Sequence, residues 1–488
     1  MPFTTGLWEA LLRDTPLLFP QIILILTATV MLWPGDLFVP RGEKRRWAYV
    51  TVAALVVAWL FVIYTPHGLG FNDMYEVDGM AKGFQYLVLA AGIITVLLSQ
   101  LQLDALGEQT VEYYALLLYS IAGMMVLVGS TDLISIYFSL ELMALCVYIL
   151  VAYLRTHDRS IEAGVKYFLL GAFSSGILLF GISLVFAATG GVTTNLVQLN
   201  DLLALAPPSS SLFVFLGVLM VLVGFCFKVG AVPFHMWSPD AYDGAPTPIT
   251  AFMSMAPKAA SLAAFLRVFG TGFNGVNSDW LAPLSFVAAA SMVLGNIAAL
   301  RAQTMKRLLA YSSIAHVGYM LLGVLGAGSG VGGPQAVWLY MLTYLIMQSG
   351  AFAIIIYLQG KGEGERIDDF RGLGRTHPLL AFSMMVIMLS LAGIPPLVGF
   401  FSKFYLFKLA IEQGHVTLTV IALLTSAVAA YYYLNVVALM YFKEPDAEAP
   451  APRVLGPVTT WVVGLSCALV LLGTCFGAVL LDWAATII

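Results

Sequence analysis

The sequence has few charged residues, and this shortage decides its class. Only 10% of its 488 residues are Asp, Glu, Lys or Arg, whereas 60% are hydrophobic and the mean hydropathy is +0.90. Soluble proteins carry about 25% charged residues. The composition therefore excludes a soluble globular protein and predicts a polytopic membrane protein. The net charge of −4 also argues against a nucleic-acid partner.

Cysteines, histidines and phosphate-binding motifs are also sparse. The four cysteines all lie in apolar runs, and none forms a CxxC pair or a metal-binding spacing. The six histidines form no ligand set with Cys or Glu, and no glycine-rich phosphate loop is present. We therefore expect no metal and no cofactor in this chain. The N-terminal stretch lacks a basic region and a small-residue cleavage site, so we expect no cleaved signal peptide.

Long apolar runs fill most of the chain. A helix needs about 20 apolar residues to cross a hydrocarbon core of about 30 Å. The sequence therefore predicts an all-α fold of about fourteen transmembrane helices, in a single integral membrane domain that covers residues 1–488. The predicted spans lie near 16–34, 47–65, 82–101, 112–129, 131–153, 162–188, 211–234, 249–270, 280–299, 304–325, 336–359, 379–409, 416–441 and 455–485.

Lysine and arginine are unevenly distributed between alternate loops, and cytoplasmic loops carry the excess of such residues. We therefore predict a multi-pass protein of the inner (plasma) membrane whose two termini both face the outer side, the periplasm if the source is a Gram-negative bacterium, which agrees with the even number of spans. The outer loops and ends contain little beyond Arg13, Lys82, Arg267 and Lys408, and we expect the last two to extend toward the membrane interface. The inner loops contain Arg41, Lys44, Arg45, Arg46, Arg155, Arg159, Arg301, Lys306, Arg307, Lys361, Arg366, Arg371, Arg375, Lys443 and Arg453.

Few ionisable residues remain deep inside the predicted spans. A charge at the centre of a bilayer costs about 2.5–3.5 kcal/mol, so these residues are expected to face the interior of the bundle, where they are paired or hydrated. A single buried lysine is often structural, but several ionisable groups at similar depth indicate a pathway for ions or protons. The deep residues are Glu141, Lys228, Lys258 and Lys403, with His316 as a titratable companion.

Two of these lysines lie beside glycine and proline residues that interrupt a helix. Lys228 lies in GFCFKVGAVPFHMW (224–237), and Lys403 ends GIPPLVGFFSK (393–403). Proline removes a backbone donor, and the carbonyl that it frees can bind water. Interrupted helices at corresponding positions of two halves indicate an ion pathway near the midplane. The sequence therefore predicts two broken helices, with a lysine at each break.

A fixed separation in the sequence predicts an internal repeat. Three pairs of polar residues are 175 positions apart: Lys228 and Lys403, Glu141 and His316, and Lys258 and Tyr433. We predict a unit of five helices that occurs twice, at 111–270 and 280–441, with flanking helices at 1–110 and 442–488. An odd number of helices per unit places the second copy in an inverted orientation.

Three stretches resemble a known family of membrane proteins. GFCFKVGAVPFHMWSPDAYDGAPTPITAFMSMAPKAA (224–260) closely resembles the signature of the antiporter-like membrane subunits of respiratory complex I and of multisubunit cation/proton antiporters. KYFLLGAFSSGILLFGISLVF (166–186) and GIPPLVGFFSKFYLF (393–407) resemble the subunit N family of bacterial NADH:quinone oxidoreductase, the counterpart of mitochondrial subunit 2. The resemblance covers essentially the whole chain. We expect no long lateral helix after the last span, which distinguishes the chain from subunit L.

The resemblance implies a function and a role for each deep residue. The chain is expected to be a proton-translocating subunit of a redox-driven pump, in contact with other antiporter-like membrane subunits and the lipid bilayer. FMN, iron–sulfur clusters and quinone are expected in partner subunits only. The family's proton-transfer residues correspond to Glu141 in span 5, Lys228 in broken span 7, Lys258 in span 8 and Lys403 in span 12, with His316 as a central relay.

Two other functions remain open at this point. A subunit of a multisubunit sodium/proton antiporter, which has no enzyme activity, would use the same lysine–glutamate chemistry. A scaffold that transports nothing is a third possibility, although the buried charges argue against it. The stretches at 166–186 and 393–407 favour the complex I subunit over the antiporter. Co-purification with quinone-reductase partners, or with small antiporter subunits, would distinguish these two functions.

Overall fold

Helices account for nearly all of the structure. The computed structural model describes residues 11–33, 45–205, 211–329, 332–360, 364–445 and 456–487. Arg41, Lys44, Lys361 and Arg453, which contribute to the predicted orientation, lie outside these residues. The helices are α1 (Phe19–Leu32), α2 (Arg46–Tyr64), α3 (Gly79–Leu106), α4 (Val111–Gly129), α5 (Leu133–Val151), α6 (Asp158–Ala188), α7 (Leu196–Ala204), α8 (Ser211–Val229), α9 (Trp237–Gly244), α10 (Thr247–Arg267), α11 (Asn277–Ala299), α12 (Met305–Leu325), α13 (Gly333–Gln359), α14 (Leu373–Thr376), α15 (Pro378–Ala392), α16 (Val398–Glu412), α17 (Val416–Phe442), α18 (Pro457–Leu472) and α19 (Gly477–Ile487).

The number of membrane spans agrees with the sequence prediction. Among the described residues, thirteen helical segments are long and apolar enough to cross a membrane. A fourteenth span consists of α15 and α16, which are separated by a break at 393–397. The predicted span at 211–234 is also broken, because α8 ends at Val229 and the chain resumes as a helix at Trp237. The prediction of about fourteen spans with two broken helices is confirmed.

The spans from α4 to α17 fall into two sets of five. The first set is α4, α5, α6, broken α8–α9 and α10, and the second is α11, α12, α13, broken α15–α16 and α17. The fourth span is the broken one in both sets. Because each set has an odd number of spans, the second set starts on the opposite side of the membrane from the first.

Three helices form the centre of the bundle. Every residue in the apolar window of α10 is buried, as are nearly all those of α12 and α13, whereas most side chains of α17 and α18 are not. A helix that is apolar all round is either enclosed by other helices or exposed to lipid. α10 is the enclosed kind, so its polar side chains face only protein or buried water. Pro257 lies inside α10, which continues through it as a helix.

A short β-hairpin is a feature that the sequence analysis missed. Strand β1 (Gly68–Gly70) pairs antiparallel with β2 (Tyr75–Val77). The Tyr75 hydroxyl accepts hydrogen bonds from Gln21 at 2.7 Å and Gln85 at 3.0 Å, so the hairpin is fixed to α1 and α3. Strands of three residues are too short to produce a recognisable alternation of polar and apolar residues. The all-α prediction therefore holds apart from this hairpin.

Arg267 joins the hairpin to the end of α10, at the end of its span, as predicted, and its extension toward the membrane interface stays a prediction. Its side chain is only 6% exposed and pairs with Glu76 at 3.0 Å and with Asp78 at 2.8 Å. Asp78 also caps the start of α3. Arginine binds carboxylates well because its donors form a planar fork. The second residue expected near the interface, Lys408, is exposed and lies 3.6 Å from Glu412.

We expect Arg267→Ala to destabilise the protein without changing the membrane spans. The substitution leaves the carboxylates of Glu76 and Asp78 without their charged partner, a loss of about 1–3 kcal/mol. Thermal inactivation of the assembled complex should occur at a lower temperature. Arg301→Ala is the matched control, because Arg301 is exposed at the end of α11. Equal thermal stability of the two variants would contradict the role of Arg267.

Candidate functional site

The first cluster of the candidate site joins α5, α6 and α8. Lys228 Nζ lies 3.2 Å from Glu141 Oε1 and 3.3 Å from Ser175 Oγ, and Ser175 donates a short hydrogen bond to the same carboxylate oxygen. The Lys228 side chain is 3% exposed, whereas that of Glu141 is 22% exposed. The buried ammonium is therefore paired, and the carboxylate is the member of the pair closer to the protein surface.

Lys228 lies at the break, as the sequence predicted. It is in the last turn of α8, which ends at Val229, and Gly230 follows with a φ of +78°. The C-terminus of a helix carries a partial negative charge, which stabilises an ammonium in its last turn. The indole of Trp237 at the start of α9 donates to the Phe227 carbonyl at 3.0 Å, so the two halves remain in contact across the break.

Lys258 lies deep in the bundle and depends on hydroxyl and aromatic groups. It is 1% exposed, and its Nζ donates a short hydrogen bond to Ser313 on α12. The ring of Tyr242 lies 5.5 Å from the same nitrogen, a distance that permits a cation–π interaction. No acidic side chain among the described residues forms an ion pair with Lys258. Lys258 therefore differs from Lys228, whose ammonium pairs with a carboxylate.

His316 is the centre of a cluster of hydroxyl groups. Its Nδ1 lies 2.7 Å from the Tyr340 hydroxyl and its Nε2 lies 3.3 Å from the Tyr433 hydroxyl. Tyr433 also forms a short hydrogen bond with Ser312, which is adjacent in sequence to the Ser313 that holds Lys258. A neutral imidazole donates through one nitrogen and accepts through the other. Both ring nitrogens of His316 therefore have a partner.

Lys403 binds the end of the helix that precedes it. Its Nζ donates to the Leu391 carbonyl at 2.9 Å, the Ala392 carbonyl at 3.2 Å and the Ser426 hydroxyl at 3.1 Å. The two carbonyls are the C-terminal end of α15, where a cation is favoured. The ring of Tyr319 lies 5.3 Å from the ammonium. The backbone of Lys403 belongs to α16, but its ammonium lies at the break between α15 and α16.

The structure brings the five predicted residues together only in part. Lys228 and Glu141 are in direct contact, and Lys258 approaches His316 through Ser313, the adjacent Ser312 and Tyr433. No hydrogen bond among the described residues joins Lys228 to Lys258. Tyr433 is distinguished in the sequence only by its spacing from Lys258. Neutral hydroxyls in apolar helices show no unusual pattern, so the sequence did not predict Ser175, Ser312, Ser313 and Tyr340.

A polar recess of about 1260 Å³ opens at the end of α9 that is remote from the break. Asp240 lies 3.1 Å from Lys166 and 3.3 Å from Arg307, and Asp243 lies 3.0 Å from Arg307. These charged groups line the recess on the α9 side of the broken span. No group of three or more His, Cys, Asp or Glu side chains suited to a metal ion occurs in the part of the chain that the structure describes.

Comparison with known sequences identifies the family of the chain. The family model "NADH:quinone oxidoreductase/Mrp antiporter, TM" matches residues 130–429, more than half of the chain. The chain therefore belongs to this family of membrane proteins. Relatives named NADH-quinone oxidoreductase subunit N are 41% identical in Trichlorobacter lovleyi (91% of each chain) and 43% identical in Methylobacterium nodulans (91% of this chain, 93% of the relative). Sequence identity of 41–43% over about nine-tenths of the chain places it in the subunit N group of the family.

Solved structures share the fold over nearly the whole chain. A chain of respiratory complex I from Thermus thermophilus is 32% identical, with a TM-score of 0.78 over 95% of this chain and 99% of that chain. A chain of the Mrp complex from Dietzia sp. DQ12-45-1b has a TM-score of 0.81 over 97% of both chains, but it is only 22% identical. At this low identity, the likeness to the Dietzia chain shows only a shared fold.

We expect Gly393→Ala to displace the Lys403 ammonium. Gly393 has a φ of +86°, and an added Cβ would lie 3.0 Å from Lys403 Cδ and 3.2 Å from its Nζ. Gly414→Ala is a matched control, because Gly414 has a φ of +84° but no neighbour within 4 Å of the added Cβ. Both variants bear the cost of the left-handed conformation, about 1–2 kcal/mol.

Only Gly393→Ala should therefore reduce proton pumping relative to NADH oxidation in the assembled complex. The two rates would be measured together in vesicles, with assembly checked on native gels. Equal pumping by the two variants would show that the contact between Gly393 and Lys403 is not needed.

Proposed function

We propose that this member of the subunit N group is the proton-translocating membrane subunit of an NADH:quinone oxidoreductase. Glu141, Lys228, Lys258, His316 and Lys403 transfer the proton in this proposal. The contact of 3.2 Å between Lys228 and Glu141 at a helix break is the observation that carries it. NADH oxidation and quinone reduction take place in partner subunits, which hold the FMN, the iron–sulfur clusters and the quinone. This chain supplies the membrane pathway and has no redox centre.

The first step of the pathway depends on the distance between Glu141 and Lys228. A carboxylate within about 4–6 Å favours the charged form of a lysine, and its withdrawal favours release of the proton. Glu141 can be moved from outside the chain, because it is half-buried on a face of α5 where Phe138 and Leu142 are exposed. A neighbouring membrane subunit on this face would therefore control the charge of Lys228.

The second step passes through hydroxyl groups and an imidazole. Ser313 contacts Lys258, and the adjacent Ser312 contacts Tyr433, which in turn lies beside His316. A hydroxyl both donates and accepts, and an imidazole takes a proton on one nitrogen while it releases another. Rotation of the hydroxyls, together with buried water, would carry a proton from Lys258 toward Tyr340. The bundle centre provides the enclosure that this transfer needs.

Lys403 is the last carrier in the proposal. Two carbonyls at the end of α15 and one hydroxyl of α17 stabilise its ammonium without a carboxylate. Neutral partners leave the lysine able to lose its proton without stranding a buried negative charge. A membrane potential of 100 mV is worth about 2.3 kcal/mol per charge, so modest changes in these contacts would direct the proton.

The proposed orientation places both termini on the outer side of the inner membrane. Arg45, Arg46, Arg155 and Arg159 then lie inside, in agreement with the distribution of positive charge. The hairpin and the partly exposed helix α7 lie outside in this orientation. A cysteine at the exposed position Asp201 should react with a membrane-impermeant thiol reagent applied to the outer face of intact cells. Labelling from the inner face alone would reverse the orientation.

A subunit of a sodium/proton antiporter is the weaker alternative. The Dietzia structure supports it only through a shared fold at 22% identity, whereas relatives at 41–43% identity carry the subunit N name. Mass spectrometry of the purified assembly distinguishes the two functions. Quinone-reductase subunits are expected to co-purify with the chain, and small antiporter subunits in their place would overturn the proposal.

Both Lys228→Arg and Lys228→Ala should abolish most pumping by the assembled complex. The arginine keeps the charge but has a pKa far above that of lysine, so it does not release a proton during the cycle, and the alanine has none to release. Proton uptake into vesicles would be measured against NADH oxidation. Lys408→Arg is the matched control, since Lys408 is 58% exposed at the end of α16. Parental pumping by Lys228→Arg would show that Lys228 acts only as a fixed charge.

Glu141→Gln should reduce pumping more than assembly. The amide still accepts a hydrogen bond from Ser175, but it no longer provides the counter-charge that favours protonated Lys228. A decrease of about tenfold in pumping corresponds to the loss of about 1.4 kcal/mol of pairing. Glu162→Gln tests a glutamate of similar chemistry that is exposed and pairs with Lys166. Equal pumping by the two variants would exclude a role for the Glu141 charge.

A further inference from the structure

Several buried polar atoms near Lys258 have no hydrogen-bond partner among the described residues. They include Ser238 Oγ, Tyr242 OH, Tyr344 OH and both amide atoms of Gln348. All four side chains belong to residues that are completely buried. Native proteins usually pair buried polar atoms with ordered water when no protein group is near. Four such residues in one place therefore indicate a polar compartment.

Two of these side chains, Tyr242 and Tyr344, lie beside Ser313, the residue that contacts Lys258. The Tyr242 hydroxyl lies beside Ser313 and Ser238, and its ring faces the Lys258 ammonium at 5.5 Å. The Tyr344 hydroxyl lies beside Ser313 and Gln348. α9, α12 and α13 thus each place a hydroxyl beside Lys258 or beside the Ser313 that it contacts.

Gln348 lies at the same depth in the membrane as Lys258. At the ends of α10 and α13, Thr247 Oγ1 donates to Gln359 Oε1 at 2.6 Å. The two helices pack against each other and run in opposite directions as spans 8 and 11. Lys258 is eleven residues after Thr247, and Gln348 is eleven residues before Gln359. Equal rise along both helices brings the amide level with the ammonium.

We propose that Gln348 and Tyr344, with Ser238 and Tyr242, hold buried water against Lys258, and that Gln348 is a positioning residue for proton transfer at this lysine. This inference rests on the proposed proton-translocating function. An ammonium has three donors, and Ser313 is the one hydrogen-bond acceptor that Lys258 has among the described residues. Water supplies further acceptors and can carry the released proton. The Gln348 amide both donates and accepts but does not titrate, so it orients water without taking up the proton.

Gln348→Leu tests this proposal, because it removes both polar atoms at similar volume. We expect the complex to assemble, since no well-formed protein hydrogen bond is lost, and to pump about tenfold more slowly relative to NADH oxidation. Ser349→Ala is the matched control. Ser349 is the next residue of α13, and its hydroxyl lies 3.0 Å from Ser466 on α18. It should pump like the parent. Equal pumping by the two variants would overturn the role of Gln348.

Gln348→Glu distinguishes a role of Gln348 in positioning water from a role in helix packing. The carboxyl group can still hold water, so pumping should exceed that of the leucine variant, and its pH profile should change because the new group titrates. A glutamate variant no better than leucine would favour a packing role and overturn the proposal. If Gln348→Leu does not assemble, Tyr344→Phe removes a single hydroxyl and should likewise slow pumping. Parental pumping by Tyr344→Phe would then count against the proposal.

A readout independent of activity is an electron-microscopy map of the assembled complex. Water is expected within about 3 Å of the Gln348 amide. A dry compartment would overturn the inference. The proposed function is tested by a different variant, because parental pumping by Lys228→Ala would contradict it. Loss of pumping in Lys228→Ala together with parental pumping in Gln348→Leu would reject only the role of Gln348.

Discussion

A lysine ammonium inside a hydrocarbon layer needs an oxygen partner, and the candidate site is organised around this need. The three deep lysines meet it in three ways. Lys228 pairs with the Glu141 carboxylate, Lys258 binds the Ser313 hydroxyl, and Lys403 binds the carbonyls of Leu391 and Ala392. A carboxylate, a hydroxyl and a carbonyl differ in how strongly they favour the protonated lysine. In the proposed pathway, three lysines in unlike surroundings would differ in proton affinity, as directed transfer requires.

The helix breaks satisfy the same need through the backbone. Lys228 lies in the last turn of α8, and the Lys403 ammonium binds the last carbonyls of α15. Both charges therefore lie at the negative end of a half-helix, although one lysine precedes its break in the sequence and the other follows it. The glycines at the two breaks, Gly230 and Gly393, are 163 residues apart, whereas the lysines are 175 apart. In both halves the ammonium therefore lies at a helix C-terminus, although the lysine stands at a different position relative to the break glycine.

The helices around the site differ in how far they are enclosed by protein. α10, which carries Lys258, has no lipid-facing residue in its apolar window, and the pairing of Arg267 with Glu76 and Asp78 fixes its end to the hairpin. Glu141 lies instead on a partly exposed face of α5. The centre of the pathway is therefore enclosed, while its first carboxylate remains within reach of a neighbouring subunit. This arrangement suits a subunit whose pumping is driven by reactions that take place elsewhere.

The sequence by itself determined the membrane class, about fourteen spans, the two breaks and the five deep ionisable residues. These properties are local, because the hydropathy of a run, the missing donor of a proline and the cost of a buried charge can each be read from neighbouring residues. The tertiary structure alone decided the partners. Ser175 is 34 residues from Glu141, and Ser312 is 121 residues from Tyr433. Neutral hydroxyls produce no signal in an apolar run, and the salt bridges of Arg267 join residues about 190 positions apart. Such contacts exist only after the helices have packed.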